Sequence, residues 1–132
     1  MPESTRERPL VRLRQPAEVR YKFLSKTRQD PEQNEIYEGT APSLSSVGCL
    51  LDGKIPRIDW LADLLMQKMV LGVNLLLPPD PEPLKVLGEV HWIERIDEET
   101  GRCRIRLSFR EITQADRNRI FTFQVKAQLP GG

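Results

Sequence analysis

Residues 102–109 alternate without interruption: Cys103, Ile105, Leu107 and Phe109 fall on one side, and Arg102, Arg104, Arg106 and Ser108 on the other. A period of two belongs to a β-strand with one face buried and the other in water. The preceding run repeats it, with Leu84, Val86, Gly88, Val90 and Trp92 interleaved by Lys85, Leu87, Glu89, His91 and Ile93. Glu98-Glu99-Thr100-Gly101 stands between the two as a turn, so the segments predict an antiparallel hairpin. A hairpin with one apolar face must be covered, and that requirement constrains the rest of the chain.

Further segments supply the cover. Val19-Arg20-Tyr21-Lys22-Phe23 alternates again, and residues 35–44 read as extended, with Ile36 and Tyr37 as the apolar entry. Cys49-Leu50-Leu51 is a short apolar run that Asp52-Gly53, a strong turn signal, is expected to stop. The strand-like run 70–77 ends at Pro78-Pro79-Asp80-Pro81-Glu82-Pro83, while residues 25–34, polar and containing Pro31, read as a loop. The period changes at residues 59–69. There Trp60, Leu61, Leu64, Leu65 and Met69 recur at helical spacing, with Asp59 placed to cap the start. This short amphipathic helix is expected to plug one end of the core. Thr113-Gln114-Ala115-Asp116 resembles a capping box opening a final helix, on which Ile120, Phe123 and Ala127 share a stripe flanked by Phe121 and Val125. The predicted fold is mainly β: antiparallel strands closing a small barrel or curled sheet, with an inserted short helix and a C-terminal helix.

A length of 132 residues suits one domain with a single core. No apolar run approaches the roughly 20 residues that span a bilayer, and the first seven residues contain no apolar signal segment. A cytoplasmic location is expected. Cys49 and Cys103 both lie in apolar runs, where buried free thiols are favoured over a disulfide. The net charge of +1 argues against a nucleic-acid binder with a broad basic face. Residues 1–24, however, carry five Arg and one Lys against three Glu, a local excess of +3 suited to a small anion.

Catalytic chemistry finds little support. The single histidine, His91, lies mid-strand, and two cysteines 54 positions apart do not make a zinc set. Neither a phosphate-binding P-loop nor a dinucleotide fingerprint is present. No enzyme activity, metal or cofactor is expected. The residues suited to ligand binding are Arg8 and Arg12, four apart, and the segment Ser43-Leu44-Ser45-Ser46-Val47-Gly48. Paired guanidinium groups offer planar forks of donors to a phosphate or a purine edge. Hydroxyls and exposed backbone on a strand turn can meet the same ligand, and Gly48 would permit its close approach.

These pieces, in this order, resemble a PilZ domain, a bacterial module that typically binds the second messenger cyclic di-GMP. Arg8 and Arg12 match that family's R-x-x-x-R motif, and Ser45 and Gly48 match its [D/N]-x-S-x-x-G motif. Gly88-Glu89-Val90-His91-Trp92 resembles its G-x-V-x-W strand, and Ile105-Arg106-Leu107-Ser108-Phe109 its closing strand. The resemblance runs from about Arg6 to Phe123. It implies a basic arm over residues 1–14, a barrel domain over 15–128, and a cyclic di-GMP site made of Arg8, Arg12, Ser43, Ser45, Gly48 and Trp92. Arg6 and Arg14 would add charge, and Trp92 reads equally well as a core or barrel-face residue. The implied mechanism is that ligand orders the arm and alters contact with a protein partner in motility, surface attachment or polysaccharide synthesis.

One departure stands out: Ser43 occupies the place of the family's Asp or Asn. Losing a charge-assisted hydrogen bond there costs about 1.5–3 kcal/mol, roughly tenfold to a hundredfold in affinity. The main alternative is therefore a PilZ-like adaptor that binds no nucleotide and acts through residues 60–69. RNA binding by the basic arm is a more distant one, disfavoured by the near-neutral charge.

Overall fold

The computed structural model describes residues 10–128. Its six strands are β1 (Val11–Ser25), β2 (Tyr37–Ser45), β3 (Gly48–Lys54), β4 (Met69–Leu76), β5 (Leu84–Glu94) and β6 (Arg102–Arg110). Helix α1 (Leu61–Leu65) is inserted before β4, and α2 (Gln114–Gln128) ends the described chain. The strands form a closed barrel in the order β1-β2-β3-β6-β5-β4, every neighbouring pair antiparallel. Closure leaves no sheet edge to pair with another chain. The expected small antiparallel barrel with an inserted and a terminal helix is thus the fold observed.

Alternation decides what fills the barrel. Cys103, Ile105 and Leu107 of β6 point inward, as do Met69, Leu71, Val73 and Leu75 of β4 and Val19, Tyr21 and Phe23 of β1. Cys49 and Cys103 are buried free thiols, as expected, and burial pushes the Cys49 thiol up to about 12. Among the described residues no helix is long and apolar enough to cross a membrane.

Strand β1 begins at Val11, so Arg12 and Arg14 belong to a strand and do not precede one, in contrast to an arm extending to residue 14. Asp52-Gly53 does not turn the chain either; both residues lie inside β3. A tertiary contact overrides the local signal. A Cβ on Gly53 would stand 2.5 Å from the Tyr21 hydroxyl. That hydroxyl donates to the Lys54 carbonyl oxygen (3.0 Å) and accepts from the Lys54 N–H (2.6 Å). Glycine is needed here for room.

The segment expected as one helix over residues 59–69 is shorter. A 3-10 turn over Ile58–Trp60 leads into α1, and Met69 already belongs to β4. Asp59 does not cap this helix. Its carboxylate accepts from Arg57 Nε and from Arg28. Trp60 and Leu64 are fully buried, with the Trp60 ring 5.0 Å from Phe23, so the segment does plug the core. Arg28 ties it to the β1–β2 connection by binding Asp63 (2.6 Å), Asp59 (3.1 Å) and Asp30 (3.3 Å). The Trp60 indole N–H donates to Asp30 at 2.8 Å and, with Arg28 and Arg57, holds that carboxyl below the usual range.

At the start of α2 the Asp116 N–H donates to Thr113 Oγ1 (3.1 Å), the bond expected of a helix cap. Ile120 is buried and Phe123 half-buried against the barrel, while Phe121 and Val125 face outward. The Ala127 side chain lies outside the described residues.

Replacing Tyr21 by Phe removes both bonds to the part-buried backbone groups of Lys54. The expected loss is about 1–3 kcal/mol of stability, read as a lower urea midpoint at an unchanged slope.

Candidate ligand-binding face

The two halves of the sequence motif meet across one strand pair. Arg12 of β1 is registered against Ser43 of β2. Register partners in an antiparallel pair share a face, and the buried neighbours Leu13 and Leu44 point inward, so Arg12 and Ser43 point outward. Two irregularities frame this pair. Between Arg12 and Ala17, residues 13–16 of β1 bulge out opposite Pro42 alone. On the other side Ala41 and Pro42 of β2 oppose Leu51 alone, between Thr40–Asp52 and Ser43–Leu50. Proline has no N–H to give the ladder, so the break falls at Pro42.

The row continues beyond Ser43. Leu50 of β3 pairs with Ser43, Arg106 of β6 with Leu50, and Trp92 of β5 with Arg106. All four side chains lie on the outer face. Strict alternation along β5 would have put Trp92 inside with Val90. A bulge at His91 resets the phase: Val90 pairs with inward Leu107, and Trp92 with outward Arg106. Trp92 is consequently 40% exposed. The core position offered among its sequence readings is thereby excluded. In the next row Asp52, two residues along β3 from Leu50, is bound by Arg104 with two bonds, 2.6 and 2.9 Å.

Ser45 and Gly48 are placed differently. Ser45 is only 4% exposed, and its hydroxyl accepts from the Val47 N–H at 3.2 Å. Gly48 is buried, and a Cβ there would overlap the Leu107 carbonyl oxygen. Across the turn the Phe109 N–H donates to the Val47 carbonyl oxygen at 2.8 Å. Both residues therefore shape the β2–β3 hairpin and press it against β6, which fixes where Ser43 stands. Close approach at Gly48 is to the neighbouring strand. Arg8 and Arg6 lie outside the described residues.

Sequence periodicity did not single out Leu50 and Arg106 as neighbours of the motif, because that adjacency is set by registers joining residues 43, 50, 106 and 92. The Arg28 cluster was also missed; its acids lie up to 35 positions away. No group of three or more His, Cys, Asp or Glu among the described residues is placed to hold a metal ion.

A closed antiparallel barrel with an arginine and a serine hairpin registered on its outer wall defines a small barrel module. The chain belongs to the PilZ domain family, whose model matches residues 11–124. Solved structures with the same fold include the Bacillus subtilis inhibitor of motility MotI/DgrA, at 15% identity and a TM-score of 0.61. That comparison covers 92% of this chain and 51% of the other. K. pneumonia MrkH is similar at 18% identity and a TM-score of 0.61, covering 92% and 49%. A further MrkH structure, described as a c-di-GMP-dependent transcription regulatory factor, has 20% identity and a TM-score of 0.55, covering 89% and 48%. The chain spans about half the length of these proteins. No curated protein sequence is significantly similar to it.

Gly48→Ala is expected to destabilise the barrel by about 1–3 kcal/mol through overpacking against β6. The same loss should appear in thermal melts with and without added nucleotide, which separates a packing role from a ligand contact.

Proposed function

We propose that this PilZ domain binds cyclic di-GMP on its outer wall and signals through a change in contact with a protein partner. The observation that carries the reading is the register of Arg12 against Ser43. It brings together the second arginine of R-x-x-x-R and the first residue of the serine motif, on adjacent strands and one face. A guanidinium fork reads the N7 and O6 edge of guanine or two phosphate oxygens, and a hydroxyl beside it accepts or donates one bond. Arg8 would add a second fork. Ser45 and Gly48 contribute by holding the hairpin, and Trp92 offers an exposed ring beyond Arg106. In this reading Arg12 is set by the barrel wall and needs no ligand to place it. The module acts in the bacterial cytoplasm without catalysis, in motility, surface attachment or polysaccharide synthesis.

Exposed apolar side chains favour a second role as a partner surface. Ile58, Leu65 and Met66, at 50%, 46% and 61% exposure, present apolar groups around α1 while Trp60 is sequestered in the core. A nucleotide-independent adaptor would use this same surface.

Calorimetric titration with cyclic di-GMP decides between the two. Saturable heat is expected, with Arg12→Ala weakening binding about tenfold or more. Ser43→Asp should tighten it by about tenfold, because a carboxylate reaches farther and adds a charge-assisted bond. Absence of heat from the unaltered chain at high micromolar ligand would leave the adaptor reading standing.

A further inference from the structure

Strand β1 is paired to β4 only from Glu18 onward, and the register partner of Glu18 is Leu76, the last residue of β4. Ahead of that pair the two chains diverge. Residues 13–16 of β1 bulge, and beyond Leu76 the chain leaves through Leu77, Pro78 and Pro79. Pro16 stands on one wall of the gap, with Pro78 and Pro79 on the other. Proline has no N–H to give a ladder, so the walls do not zip together. Helix α2 borders the gap on a third side with Phe123 and Lys126. The result is a cleft of about 840 Å³. Sites for small molecules run to about 300–1,000 Å³.

We infer that this cleft binds a small amphipathic anion, with its acidic group held by Arg14 and Lys126 and its apolar body lying on Leu76, Phe123 and the prolines. Two cations from separate elements line the cleft, Arg14 from the bulge of β1 and Lys126 from the last turn of α2. Neither has a hydrogen-bond or ion-pair partner among the described residues. An anion between them gains charge-assisted bonds and relieves their mutual repulsion. Glu18 is the one carboxylate of the lining, four positions along β1 from Arg14, and it repels an acidic head toward the Arg14 end. The next acid past the prolines, Asp80, is bound by Arg119 at 2.7 Å. Covering the apolar surface supplies the attraction, and the charges set the orientation. Arg12 and Ser43 do not line this cleft, so the inference stands apart from the nucleotide reading. Arg14, expected from the sequence to add charge to the nucleotide face, serves here instead.

The test is a fluorescence titration of the full chain with anilinonaphthalene sulfonate, which joins a sulfonate to aromatic rings. Decanoate, naphthoate and inorganic phosphate serve as competitors, and no nucleotide is present. Expected is saturable one-to-one binding, displaced by decanoate if the body is an acyl chain or by naphthoate if it is a ring, and not by phosphate alone. Arg14→Ala and Lys126→Glu should each weaken binding about tenfold or more. Lys85→Glu, the same charge reversal on exposed β5 outside the cleft, should leave it within about twofold. Amide shifts on addition of the probe should fall at Arg14, Ala17, Leu76, Phe123 and Lys126. Each variant is first checked for a cooperative melt; Lys126 is exposed on its helix, so Lys126→Glu decides the matter if Arg14→Ala does not fold. Absence of saturable binding overturns the inference, as does displacement by neither amphiphile or by phosphate as readily as by them. So does equal binding by Lys126→Glu, or an equal loss in Lys85→Glu, which would mark a general attraction of charge. Any of these results leaves the nucleotide reading untouched.

Discussion

Strand β1 is the staple on which the molecule depends. Over residues 18–25 it pairs with β4, and over residues 18–21 it pairs at the same time with β2, which closes the barrel. Its N-terminal end leaves β4 and continues along β2 alone as Val11 and Arg12. The strand that seals the core thus also carries the arginine to its place opposite Ser43. Tyr21, on the doubly paired stretch, extends the hold to β3 through its two bonds with Lys54. Loss of this strand's pairing would open the barrel and dissolve the site together.

The outer face owes its chemistry to interruptions of the regular ladder. Residues 13–16 bulge from β1, Ala41 and Pro42 crowd β2 against one residue of β3, and His91 adds a residue to β5. Each interruption shifts the phase of alternation locally. The last of them turns Trp92 from an inward to an outward position. Ser45 and Gly48 work from inside, as a turn hydroxyl and a missing side chain, and hold the hairpin that carries Ser43. Helix α2 reaches the same strand, where the Gln124 amide donates to the Leu44 carbonyl oxygen at 2.6 Å.

Much of the fold was legible in the sequence, for definite reasons. The period-two runs became parts of β1, β5 and β6, and Thr113 caps the last helix, since burial on one face leaves its mark residue by residue. The misread positions each answer to a distant partner. Asp52-Gly53 has a turn's composition but lies in a strand because Tyr21 occupies the space above Gly53. Asp59 looks like a cap but binds Arg57 and Arg28, the latter 31 positions away. Trp92 follows the alternation of its run until a bulge breaks it. The motif residues were picked out by spacing. Their division into Arg12 and Ser43 on the face, and Ser45 and Gly48 beneath it, required the register.

The central claim is the proposed one, that a cyclic dinucleotide lies on the outer wall where Arg12 is registered against Ser43. Amide chemical-shift mapping of the isotopically labelled chain during addition of cyclic di-GMP tests it most directly. The account predicts perturbations concentrated at residues 12, 43–50 and 92, with β4 and the exposed residues around α1 quiet. Perturbations confined to α1 or to the outer side of α2, with Arg12 and Ser43 unmoved, would contradict it.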